Sequence, residues 1–380
     1  MICSRSVYIA VALMLGAPWS SAYANDPLRI KVDTVIGPLM QAEGISGMAV
    51  ALYAHGHAHY FSYGVASRDS GVPVSRDTLF EIGSLSKTFT ATLVAVANAE
   101  GQLALDAPAK RYHPALGGTP MGDATVQDLG TYSADCLPLQ FPDTVNSPQQ
   151  IVTFLRQWQP KGTPGAQRCY SNPSLGLFGD LAARAQHQPF ATLLEQNVLK
   201  PMGLHSTYLD VPSDARSLYA QGYDASDKPV RVNPGPYAQQ AYGIKTSASD
   251  LLRYVRLNMQ PDDLPAPLAR AVLITRNGYA QIGEMTQGLG WERYAYPVTL
   301  RTLLTGNGPQ MIRGPQPAQR LQPPAAPLAA AWYNKTGSTN GFGSYAAFVP
   351  SEGLAIVLLA NRNYPNEARV RAAFEILSGL

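Results

Sequence analysis

Charge is scarce in this 380-residue chain: 14% of its residues are Asp, Glu, Lys or Arg, and 29 basic against 26 acidic side chains leave a formal +3. There is no dense Lys/Arg run, so a nucleic-acid partner, which needs phosphates neutralised, is not expected. Long apolar runs are also missing. No segment reaches the roughly 20 residues of a spanning helix, so no membrane span is predicted. Only three cysteines occur, and their spacing suits no zinc site. His55, His57 and His59 alternate as on one face of a strand, but Gly56 reads as a hairpin tip and no other ligand motif supports them; neither metal nor cofactor is predicted. The 33 Gly and 31 Pro show no period of three, which excludes a collagen-like fibre, and no internal repeat is evident. What is present is 46% apolar residues on a length that can bury one large core or two smaller ones.

The first residues read as an export leader. Arg5 precedes an apolar stretch over residues 7–15, and Pro18 leads to Ala22-Tyr23-Ala24, an A-x-A cleavage pattern. Residues 1–24 are therefore set aside, and a soluble exported protein starting near Asn25 is expected. Cys3 leaves with the leader. Cys136 and Cys169 remain in a compartment where disulfides persist, either bridged or as two buried thiols. A bridge closing that 33-residue separation would contribute about 3 to 4 kcal/mol by the chain-entropy model.

Asp26-Pro27 followed by Leu28, Val32, Val35, Ile36 and Leu39 predicts an amphipathic helix up to Gly44. Residues 48–53 and 59–65 read as a hairpin. From 84 to about 100 the chain is helical in period and apolar almost all round, as in a buried central helix stopped by Gly101. Ser147-Pro148-Gln149-Gln150 is a capping box for a helix through Trp158, and another helix runs from Pro173 toward Ala185. Three strands are predicted at 332–336, 344–349 and 354–360, the last covered on both faces, followed by a helix over 367–377. The Pro/Gln-rich segment 306–327 carries neither pattern and reads as a surface loop. The plan is α/β of the α+β kind: the ends pair into one antiparallel sheet flanked by helices, with an all-helical region inserted. Within 25–380, the sheet part spans about 25–80 and 200–380 and the helical part about 84–199.

Three short motifs can do chemistry. In Ser84-Leu85-Ser86-Lys87 a hydroxyl and an amine lie one helical turn apart, so the amine can take the hydroxyl's proton. An ordinary helix start with Ser as its cap carries the same letters, but a lysine entering so apolar a helix needs a partner. Tyr170-Ser171-Asn172 puts a phenol and an amide on one side of an extended stretch, and Lys335-Thr336-Gly337-Ser338 lies on a strand edge that Gly337 leaves open to a substrate.

In this order the motifs resemble those of the serine penicillin-recognising superfamily, and within it the class C β-lactamases, with the β-lactamase/transpeptidase-like fold. The resemblance runs over essentially the whole mature chain. It includes Phe80-Glu81-Ile82-Gly83-Ser84, Leu137-Pro138-Leu139-Gln140, Tyr170-Ser171-Asn172-Pro173, Arg231-Val232-Asn233-Pro234-Gly235-Pro236, Gln287-Gly288-Leu289-Gly290-Trp291-Glu292, Asn334-Lys335-Thr336-Gly337-Ser338-Thr339-Asn340-Gly341-Phe342-Gly343 and Leu359-Ala360-Asn361-Arg362-Asn363-Tyr364-Pro365. Tyr170 stands where class A enzymes carry Ser. Ser133-Ala134-Asp135-Cys136, where relatives have small residues, and Cys169 depart from the pattern.

The resemblance implies a periplasmic hydrolase, a monomer without cofactor, that opens the lactam amide of β-lactam antibiotics, preferentially cephalosporins, and confers resistance. Ser84 is the implied nucleophile, Lys87 and Tyr170 share the general-base role with Lys335 beside them, and the N–H groups of Ser84 and Ser338 form the oxyanion hole. Gln140 and Asn172 are implied to hold the acylamino side chain. Lys335, Thr336, Asn366 and Arg369, with Asn363 assisting, are implied to face the ring carboxylate along the Gly337 edge. A D-alanyl-D-alanine peptidase or esterase on the same residues is the second reading, and a non-catalytic penicillin-binding module the third. Finally, residues 293–351 contain no acid while carrying Arg293, Arg301, Arg313, Arg320 and Lys335, which predicts a positive field focused on a small anion.

Overall fold

Asp26 accepts a hydrogen bond from the Leu28 N–H and Pro27 takes the first helical position, so α1 (Pro27–Glu43) starts where the sequence places it, and Gly44 ends it in the left-handed conformation. The structure, a computed structural model, describes residues 26–134 and 136–380. The export leader lies outside the described residues. After α1 come β1 (Gly47–Ala54) and β2 (His57–Gly64), joined at His55 and Gly56, both with positive φ.

The remaining strands of the main sheet are β3 (Gly278–Ile282), β4 (Met285–Gln287), β5 (Glu292–Ala295), β6 (Gln319–Ala325), β7 (Ala331–Ser338), β8 (Gly343–Val349) and β9 (Leu354–Ala360). They pair in the order β6-β3-β4-β5-β7-β8-β9-β1-β2, antiparallel throughout. The two ends of the chain meet where β1 pairs with β9, one strand in from the β2 edge, with Met48 opposite Ala360 and Tyr53 opposite Ala355. The uninterrupted apolar run of β9 has its cause in this position: Ala355, Val357 and Leu359 join the core on one face, while Leu354, Ile356, Leu358 and Ala360 join the core on the other. Truncating one such leucine to alanine costs about 2 to 5 kcal/mol.

One face is covered by α1 and α7 (Asn366–Leu377), the other by α2 (Ser86–Ala99) and α5 (Ala248–Met259). Every residue of α2 from Ser86 to Ala97 is buried. A third core gathers around α4 (Asn172–Ala185), with Leu129, Leu155 and Phe178. Before it, α3 (Pro148–Gln157) begins with both arms of the Ser147/Gln150 capping box in place. Helix α5 and the following α6 (Ala266–Arg276), which packs on α2, fall in a region to which the sequence assigned no helices.

Segment 306–327 differs from the expected surface loop. Residues Gln310–Arg313 form a helical turn, Gln316–Pro317 pairs with Gln167–Arg168, and Gln319–Ala325 is the outermost strand, β6. Pro323 and Pro324 are tolerated there because an edge strand does not need every N–H. The proline signal hid the strand.

Candidate active site

Ser84 sits in a 3-10 turn, Gly83–Leu85, that feeds directly into α2. It does not cap that helix; its oxygen instead meets Lys87, whose Nζ donates to Ser84 Oγ at 3.0 Å, to Asn172 Oδ1 at 2.6 Å and to the Ala241 carbonyl at 2.8 Å. Lys87 is fully buried. The turn lies hard against β7. A Cβ on Gly83, where φ is +50°, would fall 2.3 Å from the Ser338 carbonyl oxygen, and a Cβ on Gly337 would fall 1.9 Å from the Ile82 carbonyl oxygen. Only glycine allows this approach of strand to nucleophile.

Along β7, Thr339 N–H donates to the Phe342 carbonyl on the β8 side. The alternation of an antiparallel strand then turns the Ser338 N–H the other way, toward Ser84. Strand β5 pairs with β7 only as far as Asn334, so Lys335 to Ser338 form an edge open to a cleft.

That cleft, of about 620 Å³, is lined by Ser84, Gln140, Tyr170, Asn172, Lys335, Thr336, Gly337, Ser338 and Asn366, together with Arg168 and Glu292. Lys87 lies behind Ser84. Asn363 and Arg369 do not line it, contrary to the placement drawn from the resemblance. Arg369, fully buried, braces the back of β7: it donates to the Gly337 carbonyl at 2.5 Å, Ser338 Oγ at 3.0 Å, the Ser344 carbonyl at 3.3 Å, Asn363 Oδ1 at 2.8 Å and the Tyr364 carbonyl. A guanidinium out of water needs such acceptors, and they hold it away from the cleft.

Tyr170 stands among cations. Its ring centroid is 5.1 Å from Lys87 Nζ, 5.1 Å from Lys335 Nζ and 5.4 Å from the Arg168 guanidinium. Burial pushes its phenol up, but Lys335 and Lys87 outweigh that and bring it down to about 8. Burial pushes Lys87 down, assisted by Lys335 and opposed by Tyr170, to about 8. Both groups thus lie near 8, while the buried Tyr170 Oη has no hydrogen-bond partner among the described residues.

Sequence reasoning missed Arg168, Glu292 and Tyr132. Glu292 Oε1 pairs with Arg168 at 3.2 Å and with Lys335 Nζ at 3.8 Å, all three buried. Tyr132, with φ +60°, lays its ring 4.8 Å from that of Tyr170. Arg168 and Glu292 stood inside quoted motifs or beside them, but only the fold joins them. The expected field of residues 293–351 is corrected accordingly. Of its five cations only Lys335 reaches the cleft: Arg320 pairs with Asp128, and buried Arg293 donates to the Ala326 carbonyl at 2.9 Å. The local charge comes from Lys87, Lys335 and Arg168 against Glu292.

Cys136 and Cys169 are bridged, with Cα atoms 4.8 Å apart. The bridge ties the segment carrying Gln140 to the residue before Tyr170, and Ser171 Oγ, donating to the Pro138 carbonyl at 2.7 Å, adds a second tie.

The family model for β-lactamases matches residues 32–380. A β-lactamase of Pseudomonas fluorescens is 51% identical over 353 residues, 93% of this chain and 99% of that protein. One from Escherichia coli K12 is 40% identical, covering 97% of this chain and 98% of its own. Among solved structures, a β-lactamase/D-alanine carboxypeptidase from Pseudomonas syringae superposes with a TM-score of 0.91 at 47% identity. It covers 93% of this chain and 99% of its own. A D-alanine carboxypeptidase from Burkholderia cenocepacia gives 0.89 at 46%, with the same coverage.

Proposed function

The chain belongs to the β-lactamase family, and from that premise we propose that it is a class C serine β-lactamase, active as a monomer in the periplasm, that hydrolyses cephalosporins preferentially and so confers resistance. The observation that carries this reading is the contact of Lys87 Nζ with Ser84 Oγ at 3.0 Å beside a phenol held between two lysines. Ser84 Oγ attacks the lactam carbonyl while its proton passes to the Lys87/Tyr170 pair. The oxyanion that forms is met by the N–H groups of Ser84 and Ser338. The C–N bond then breaks, the ring nitrogen takes the proton back from the pair, and an ester on Ser84 remains. A water that gives its proton to Tyr170 attacks this ester, and Ser84 leaves with that proton restored.

Lys335, Thr336 and Asn366 face the ring carboxylate in this pose, and Gln140 and Asn172 face the acylamino group; Lys87 occupies Asn172 Oδ1, so its amide nitrogen is the end that turns to substrate. Arg369 serves only by holding β7. The use of Tyr170, rather than a carboxylate, as the deacylating base is what supports class C. One chain supplies every one of these groups, in accord with a monomer.

A second reading, D-alanine carboxypeptidase activity, is favoured by the likeness to the D-alanine carboxypeptidases of Pseudomonas syringae and Burkholderia cenocepacia. Purified protein mixed with a chromogenic cephalosporin, a penicillin and a carbapenem separates the two. Many turnovers of the cephalosporin per enzyme support the β-lactamase, whereas one stoichiometric burst followed by a stall would replace it with the peptidase.

A further inference from the structure

Glu81 lies three residues before Ser84, on a two-residue strand Phe80–Glu81 that pairs with Lys245–Thr246. Its carboxylate is 1% exposed and takes no part in the chemistry above. Its hydrogen bonds go to two lips of the cleft. Oε1 accepts from Tyr219 Oη at 2.6 Å and from the Val232 N–H at 3.0 Å, the latter also reaching Oε2 at 3.1 Å. Oε2 accepts from Thr339 Oγ1 at 2.6 Å. Val232 and Thr339 both line the cleft, and Thr339 directly follows Ser338.

From Val232 the chain continues through Pro234 and Gly235 along the cleft wall to Tyr237, whose ring stands 5.8 Å from that of Phe141, the neighbour of Gln140. This wall therefore borders the side where Gln140 is placed to hold the acylamino group. One buried carboxylate bridges that wall, which Arg231 and Gly235 also anchor on the Ala220 carbonyl and Tyr242 Oη, to the end of the strand that presents Ser338. A carboxylate held by two hydroxyls and an amide is a rigid spacer, because breaking any bond leaves a buried lone pair unsatisfied.

We infer that Glu81 is a positioning residue that sets the width of the cleft between Val232 and Thr339, and thereby limits the size of acylamino side chain accepted. The inference rests on reading the site as that of a β-lactamase. Without the clamp, the 231–236 wall swings outward and admits bulkier side chains.

The test compares the intact protein with Glu81→Ala and Glu81→Gln on two cephalosporins that share a ring system but carry a small or a bulky branched acylamino group. The ratio of kcat/KM, bulky over small, should rise about tenfold or more in Glu81→Ala, mainly through KM. In Glu81→Gln it should stay within about threefold, since the amide oxygen keeps Tyr219 and Val232 while the Thr339 hydroxyl turns to accept. Amide exchange over residues 231–236 should quicken in the alanine variant and not in the glutamine one. A folded Glu81→Ala protein with an unchanged ratio, or with both substrates slowed equally, overturns the inference. If Glu81→Ala does not fold, Thr339→Val and Tyr219→Phe each remove one tether and should raise the ratio by a smaller factor; no rise in either overturns it. An unaltered protein that turns over neither cephalosporin sinks the β-lactamase reading instead, and is recognised by the inactivity of the parent.

Discussion

At the floor of the cleft, Gly83 and Gly337 bring a helical turn and a strand into backbone contact, and Lys87, Glu292, Arg168 and Lys335 are all buried with named partners. At the rim, Gln140 is exposed and the segment carrying it is tied by a disulfide, the Ser171 bond and the Asn172 N–H on the Leu139 carbonyl, while the 231–236 wall is tied by Glu81 at Val232, by Arg231 on the Ala220 carbonyl and by the Gly235 N–H on Tyr242 Oη. The floor cannot move without leaving a cation unpaired or overlapping two backbones, whereas each part of the rim depends on a few separable tethers. In the proposed mechanism, bond-making groups sit where geometry is over-determined, and groups that discriminate substrates sit where one contact can be changed at a time. Changes to the floor should strike all substrates alike and changes to the rim should strike them unequally.

The largest expected effect is at the floor. Ser84→Ala removes the atom that forms the ester and should lower kcat by about a thousandfold or more for every β-lactam with an unchanged melting temperature. A variant that retains turnover of one substrate class would break the comparison at its strongest point. Tyr170→Phe should cost about a hundredfold in kcat for cephalosporin and penicillin alike. Because Tyr170 and Lys87 both lie near 8, the form able to shuttle a proton is the pair holding one of its two exchangeable protons. kcat/KM should thus be bell-shaped around pH 8, falling on the acid side as the pair fills and on the alkaline side as it empties. A flat profile between pH 6 and pH 9 contradicts the shared role.

Glu292→Gln should act less strongly and with a defined sign. The Glu292 charge raises both Tyr170 and Lys87, so neutralising it lowers both. The bell should move to lower pH by roughly 0.5 to 1, with the loss at the optimum about tenfold and the same for both substrate classes. A shift to higher pH, or a loss confined to one class, would move Glu292 from the floor to the rim in this scheme.

How far the sequence foretold this division depends on the range over which each feature is encoded. Ser84 and Lys87 are one helical turn apart, and Tyr170 and Asn172 are two residues apart where the chain enters α4, so local spacing brings out their juxtaposition. The alternation of β9 between two cores was readable for the same reason. Arg168 and Glu292 are 124 residues apart, and nothing local in either marks it as the other's partner. Arg369 shows the converse error: the resemblance implied a substrate contact, yet the residue is buried behind β7 and braces it. The acid-free stretch misled in the same way, since Asp128 takes up Arg320, backbone carbonyls take up Arg293, and only Lys335 lines the cleft. In segment 306–327, prolines allowed at an edge concealed β6. The less legible features, Arg168 and Glu292 on the floor among them, were thus those assembled by tertiary contacts between distant segments.

The smallest expected effect tests the rim through its covalent tether. The Cys136–Cys169 bridge closes a separation of 33 residues, so replacing both by serine should cost at most about 3 to 4 kcal/mol of stability, chiefly by freeing the unfolded chain. Titration of the denatured, unreduced protein after loss of the leader should find no free thiol. The bridge lies beside Gln140 and not between Ser84 and Lys87, so the double serine variant should keep kcat for a cephalosporin with a small side chain within about threefold, while KM for a bulky one changes more. An equal fall in kcat for both substrates would mean that the tether sets the position of Tyr170 through Cys169, and that floor and rim are mechanically one unit at this point.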